Sequence, residues 1–150
     1  MLAGVVAGEG SFTTARQGTY ADGTERTRFV FAVKMATRDR PVLDALRNFL
    51  GAGSIHDEQP RRAHWQPMSS FQINSRRGHH AATIPFAEAF LLPCHKRDQF
   101  DAWRDAFLAN EAAHPSRFGM GRSICSVDDC PHPVRGRGLC RKHYYRATGW

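Results

Sequence analysis

The chain has 150 residues, 41% of them hydrophobic and 23% charged, which suits one compact domain with a small appendage and excludes a two-domain enzyme of ordinary size. No run approaches the roughly 18 to 20 apolar residues a membrane-spanning helix needs, and no basic segment precedes an apolar leader, so an intracellular protein, cytoplasmic or nucleoid-associated, is expected. Lys plus Arg number 21 against 14 Asp plus Glu, and this excess of base makes an acidic partner, nucleic acid first, the natural expectation.

In chain order, Met1 to Gly8 is a short apolar run rich in small residues, and Ser11 to Arg16 alternates like a strand. Gln17 to Glu25, with Gly18, Asp22 and Gly23, has the composition of a hairpin loop. From Arg26 to Met35 the period is two: Phe29, Phe31, Val33 and Met35 fall on one face, Arg26, Arg28 and Lys34 on the other. The expected strand is half-buried and half-basic, with the basic face a candidate DNA contact. A helix follows, with Asp39 as cap, Pro41 in its first turn, a stripe of Val42, Leu43, Leu46, Phe49 and Leu50, and Gly51 as its stop.

Ser54 to Asp57 and Ser69 to Asn74 read as a second strand pair, Phe71 and Ile73 inward and Ser70, Gln72 and Asn74 outward. Arg77 to Leu92 is helical with a bend or restart at Pro85. Asp98 to about Ala112 places Phe100, Trp103, Phe107 and Leu108 on one side of a final helix. Cys94 is expected in the core as a small apolar residue, and His79 and His80 at the surface.

The segment Leu2-Ala3-Gly4-Val5-Val6-Ala7-Gly8-Glu9-Gly10 joins small residues, which let a second helix come close, to an acid at the helix end. A helix C-terminus carries partial negative charge and is a poor place for a carboxylate. A divalent cation such as magnesium would relieve the misfit, since hard cations take carboxylate oxygens.

This stretch resembles the signature helix of the LAGLIDADG homing endonucleases, with alanine at position 7 where the family often has aspartate. The likeness runs on through Phe29 to Gly53, the Arg38-Asp39-Arg40 turn, Leu50 to Ile55, Pro85-Phe86 and Leu91 to Trp103. It implies an α+β unit of order αββαββα with a saddle-like antiparallel sheet. It also implies a metal centre at Glu9 and Gly8, and Lys96, between His95 and Arg97, as the basic catalytic residue near the scissile phosphate. Arg38 and Arg40, at the strand-to-helix turn, and Gln72 and Asn74 are the further DNA-contact candidates.

One copy of the signature in a unit of 114 residues implies a homodimer on a palindromic or near-palindromic double-stranded target. The reaction implied is magnesium-dependent phosphodiester hydrolysis leaving 3′ overhangs, with no small-molecule substrate. A DNA-binding transcriptional regulator or an RNA-splicing helper on the same fold would carry much the same residues.

The tail differs in composition. Residues 1–114 hold 14 basic and 12 acidic side chains and residues 115–150 hold 7 and 2, so a linker is placed at 115–122 and a separate basic module at 123–150. The module reads Cys125-x4-Cys130-x9-Cys140-x2-His143, the ligand types and count of a structural zinc site, one ion per chain. His132 competes for the fourth place, and His143 is preferred because Cys-x2-His at a helix start gives paired geometry. The apolar groups of residues 115–150 are few, Phe118, Ile124 and Trp150 among them, so metal binding would supply folding free energy. The stretch from Gly136 to Arg146 resembles small zinc modules attached to phage and bacterial nucleases, which implies Arg141, Lys142 and Arg146 as phosphate contacts.

Overall fold

The structure is a computed structural model describing residues 1–20, 23–60, 62, 64–114, 125–127, 130–132, 134–136 and 139–148. Two compact units divide the chain, Met1–Asn110 and Glu111–Trp150. The expected linker at 115–122, together with Asp22, Phe118, Ile124 and Trp150, lies outside the described residues.

The first unit opens with α1 (Leu2–Glu9). Val6 is fully buried, Leu2, Ala3 and Val5 pack half-buried against the core, and Met1, Gly4, Ala7, Gly8 and Glu9 are exposed. Gly10 ends the helix in extended conformation, its N–H donating to the Val6 carbonyl. A Cβ there would lie 2.4 Å from that oxygen, so only glycine lets the chain leave α1 directly into a strand.

The sheet contains β1 (Gly10–Thr19), β2 (Glu25–Ala36), β3 (Ser54–Glu58) and β4 (Met68–Ile73) in the order β1-β2-β4-β3, every neighbouring pair antiparallel. The first hairpin is tighter than its sequence suggests: pairing continues to Thr19 and Glu25 across an irregularity after Arg16, so the loop is only 20–24. Gly18 and its polar neighbours Gln17 and Thr19 mark a bulge, where β1 carries one extra residue, as well as the approach to a turn.

Period two holds along β2. Phe29, Phe31 and Val33 are buried and Arg26, Arg28 and Lys34 exposed. The second pair also follows it, with Phe71 and Ile73 inward, although Ser70 on the outer face is 3% exposed and therefore covered by its neighbours.

Between the hairpins, a 3₁₀ turn (Thr37–Asp39) leads into α2 (Arg40–Leu50). Asp39 stands at the N-cap position but makes no side-chain cap hydrogen bond; its carboxylate faces Arg38 at 3.6 Å. Gly51 closes α2 at φ +64, the left-handed conformation that costs glycine least. Leu43 and Leu46 carry α2 into the core, whereas Phe49 is 58% exposed.

After β4 the chain runs through α3 (Arg76–Gly78), a π-helical turn (His79–Thr83) and α4 (Ile84–Phe90), so the predicted interruption near Pro85 takes the form of a widened turn just before it. That turn carries the first correction. His79 is 1% exposed; its Nε2 lies 3.1 Å from the Phe29 carbonyl and its Nδ1 3.2 Å from Thr83 Oγ1. A carbonyl only accepts, so Nε2 donates and the Thr83 hydroxyl donates to Nδ1. Both ring nitrogens are satisfied inside, and a histidine so paired belongs to the core; His80 is exposed.

Cys94 is the second correction. It is exposed in the connection between α4 and α5 (His95–Ala113), because Leu91 fills the adjacent core position. Arg97 closes the same corner, donating to the carbonyls of Glu88 at 3.2 Å and Leu91 at 3.1 Å, and so caps the C-terminal end of α4.

An aromatic layer joins α5 to the inner face of the sheet. Phe12 stacks on Phe31 with centroids 5.1 Å apart and meets Phe100 at 5.2 Å and Trp103 at 5.6 Å. Trp103 Nε1 donates to the Thr13 carbonyl at 3.0 Å. This layer fixes the height of α5, and with it Lys96, relative to the end of α1.

In the second unit, β5 (Val134–Gly136) and β6 (Leu139–Cys140) pair antiparallel and α6 (Arg141–Thr148) follows. No helix among the described residues is long and apolar enough to cross a membrane.

Candidate active site and zinc-ligand cluster

Glu9 is the last residue of α1, and its side chain is exposed at the helix end. Lys96, in the first turn of α5, reaches the same end. Its Nζ donates to the Gly10 carbonyl at 2.6 Å and to Gln99 Oε1 at 3.1 Å. The two residues assigned to catalysis, 87 positions apart in the chain, thus flank one helix terminus. The ammonium also offsets the partial negative charge that makes this terminus awkward for a carboxylate.

The sequence singled out Lys96 but not Gln99, whose signal was its spacing three residues on along a helix, where side chains meet.

The outer face of the sheet carries the other candidates. Register places Lys34 opposite Ser70 and Ala32 opposite Gln72. Gln72 Nε2 donates to Ser70 Oγ at 3.1 Å, and Asn74 Nδ2 reaches Gln72 Oε1 at 3.4 Å, a polar row running along β4 from the position opposite Lys34. Lys34 pairs with Glu58 at 2.6 Å, an acid that strand periodicity alone could not connect to it.

At the other end of β2, Arg28 is exposed and the Arg26 guanidinium lies over the Tyr20 ring, 5.6 Å from its centroid. Arg38 and Arg40 stand at the β2–α2 turn, apart from this row. Arg40 binds Asp57 and lies 3.7 Å from Asp44. The Ser69 hydroxyl donates to Asp57 at 2.7 Å; this bond, aided by Arg40 and outweighing partial burial, holds the Asp57 carboxyl below its ordinary range.

The second unit gathers all four expected zinc ligands. The donor atoms of Cys125, Cys130, Cys140 and His143 lie within 4.8 Å of one another. Cys125 Sγ is 3.2 Å from His143 Nδ1, Cys140 Sγ is 3.5 Å from the same nitrogen, and Cys130 and Cys140 sulfurs are 3.8 Å apart. A tetrahedron with Zn–S bonds of about 2.3 Å has sulfur-to-sulfur edges of about 3.8 Å, so the donor set fits that ion in chemistry and size. His132 is exposed outside the group and contributes its carbonyl to the Cys125 N–H at 2.9 Å.

The Cys140 N–H donates to Cys125 Sγ at 3.2 Å. Burial works to raise the Cys125 thiol, but this bond, His143 and the Val127 backbone outweigh it and bring the pKa to about 6. For Cys130 the His132 backbone pulls downward, while burial and the two neighbouring sulfurs prevail and push the thiol up. Arg141 and Lys142, before His143, and Arg146, after it, are exposed on α6.

The sequence matches the family model described as LAGLIDADG endonuclease over residues 2–107. The chain belongs to the LAGLIDADG endonuclease family. Among solved structures, the homing endonuclease I-TnaI is similar with TM-score 0.62 and 25% identity, over 75% of this chain and 72% of that one. The LAGLIDADG meganuclease I-CpaMI bound to uncleaved DNA gives TM-score 0.62 and 25% identity, over 79% and 40% of the two chains. Meganuclease I-SmaMI bound to uncleavable DNA shares the fold, with TM-score 0.64 and 23% identity over 75% and 37%. The chain therefore spans well under half the length of the two meganucleases and nearly three quarters of I-TnaI. A comparison with curated proteins returned no match.

Proposed function

We propose that the protein is a site-specific double-strand DNA endonuclease of the homing type, acting as a homodimer on a palindromic or near-palindromic target. The observation that carries this reading is that Lys96 Nζ seats on the Gly10 carbonyl, one residue beyond Glu9 at the end of the signature helix. A regulator using only the sheet would require neither.

The proposed metal site fits a hard divalent cation, magnesium first. Glu9 offers carboxylate oxygens at the negative end of a helix, and Gly8, exposed beside it, offers only backbone oxygen. When bound, such a cation supplies Lewis-acid activation for phosphodiester hydrolysis. Glu9 would hold it. Lys96, with one ammonium proton left after Gly10 and Gln99, would donate to a non-bridging phosphate oxygen and offset charge developing there.

One chain contributes one such carboxylate. The exposed residues Met1, just before α1, and Gly4, Ala7 and Gly8 on it recur every three or four positions, and no atom lies within 4 Å of a Cβ built at Gly4 or Gly8. That bare stripe suits close approach by the same helix of a second copy, which would bring two Glu9 side chains together. The chain lengths agree: the matched unit fills most of I-TnaI, while I-CpaMI and I-SmaMI are about twice as long.

The outer sheet face, with Arg26, Arg28, Lys34, Gln72 and Asn74, would lie in the major groove. Arg38 and Arg40 would reach the backbone, the zinc module would extend the footprint through Arg141, Lys142 and Arg146, and cleavage would leave 3′ overhangs.

The deciding experiment selects cleaved sequences from a random double-stranded library with magnesium. A palindromic consensus is expected, cut by a species sedimenting at about 34 kDa, twice the chain mass of 16.9 kDa. A monomer cutting an asymmetric site would overturn the dimer, and no cutting of any sequence would overturn the nuclease.

Arg28 gives a narrower test of the interface. If it binds phosphate, Arg28→Ala should lower the slope of log affinity against log salt by about 0.9. If it reads a base, preference should relax at one position at a cost of about 1–3 kcal/mol. An unchanged slope and consensus would return Arg28 to solvent.

A further inference from the structure

We propose that Gln99 is a positioning residue for Lys96, holding its ammonium at the C-terminal end of α1 so that one N–H is aimed at the scissile phosphate; the role rests on the nuclease reading above. Lysine has three donors on a flexible four-carbon stem, and an untethered ammonium samples many positions. Here two of the three are committed, to the Gly10 carbonyl at 2.6 Å and to Gln99 Oε1 at 3.1 Å.

The two acceptors have different supports. The Gly10 carbonyl belongs to the residue that joins α1 to β1, and that residue cannot carry a Cβ, so its position is set by the backbone. Gln99 is half-buried, one turn along α5 from Lys96, between Phe100 and the acid-bearing face of the helix. A single acceptor would leave the ammonium free to swing about that bond. The second one fixes the direction of the remaining N–H, and a misplacement of about 1 Å in such a group can cost a hundredfold in rate.

Two substitutions separate positioning from packing. Gln99→Leu keeps bulk and removes the acceptor. Gln99→Glu keeps an acceptor and adds a charge that favours protonated Lys96. In single-turnover cleavage of the selected site, Gln99→Leu should cut about 10- to 100-fold more slowly, with DNA Kd within about threefold and an unchanged melting temperature. Gln99→Glu should restore the rate to within about threefold and move the alkaline limb of the pH–rate profile upward. The chain has only three lysines, Lys34, Lys96 and Lys142, so carbon-13 labelling of the lysine side chains gives a readout independent of cleavage. The Lys96 resonance should shift in Gln99→Leu and the other two should not.

Wild-type protein that cuts no library sequence would overturn the nuclease reading and this role with it. Active wild type with Gln99→Leu equally fast would overturn the role of Gln99 alone. So would a Lys96 resonance that does not move, or a parallel loss of rate, affinity and melting temperature, which would assign Gln99 to the stability of α5.

Discussion

Glu9→Gln is expected to lower the cleavage rate by about three orders of magnitude or more while DNA affinity stays within a few fold. Glutamine has the same shape and reach, so α1 keeps its length and its packing through Val6. What changes is one negative charge at an exposed helix end, and a neutral amide oxygen is a poor ligand for a hard cation. In the proposed reading binding would draw on the outer sheet face through Arg26, Arg28 and Lys34 of β2, none of which belongs to α1, so the two properties should separate. If Glu9→Gln cuts at the wild-type rate, the helix end is not the metal site. If it loses binding together with cutting, Glu9 serves the helix pair instead of the reaction. Calcium in place of magnesium gives the matching control with wild-type protein: binding without cutting is the expected result.

The parts of this site that were legible in the sequence are those fixed locally. The signature helix, the alternation of Phe29, Phe31 and Val33, and the stripe of α2 closed by Gly51 each follow from neighbours within one or two turns. What was not legible depends on which elements meet. His79 has an ordinary surface composition around it, and only the packing of the π-helical turn on β2 supplies the Phe29 carbonyl that satisfies it in the core. Cys94 is the converse case, an apolar residue left outside because Leu91 and Arg97 complete the corner.

The pairing of Lys34 with Glu58 likewise needs the register of three strands. In the proposed reading Lys34, held by an acid, would present both a donor and an acceptor to a groove, whereas Arg28 would present guanidinium donors only. The tail shows the same contrast: cysteine spacing announced the ligand set, but the choice between His132 and His143 required the loop to close.

Cys140→Ser should disorder the C-terminal unit while leaving the first unit folded. The reason lies in what each unit buries. The first has Phe12, Phe31, Phe71, Phe100 and Phe107 at 4% exposure or less, layered between sheet and helices. The buried hydrophobic residues described in the second are Cys125 and Cys140, both members of the proposed ligand set. A strand pair of three and two residues with one helix of eight is too small to fold on apolar burial alone. Structural zinc in isolated fingers contributes about 10–16 kcal/mol of apparent binding free energy, enough to carry such a unit.

Cys140 links the other three proposed ligands. Its sulfur meets Cys130 and His143, its N–H holds Cys125, and it begins the turn into α6. Wild-type protein purified without chelator should contain one zinc per chain. Chelation at high temperature and Cys140→Ser should each release the unit, exposing the peptide to protease after about residue 113 while the main melting transition stays in place. Because residues 115–150 carry 7 basic and 2 acidic side chains, the footprint on long DNA should shorten and affinity fall, with slow cutting of a short central site retained at high protein concentration. Protein free of zinc, or a Cys140→Ser variant with unchanged footprint and protease resistance, would remove the metal from this account of the tail.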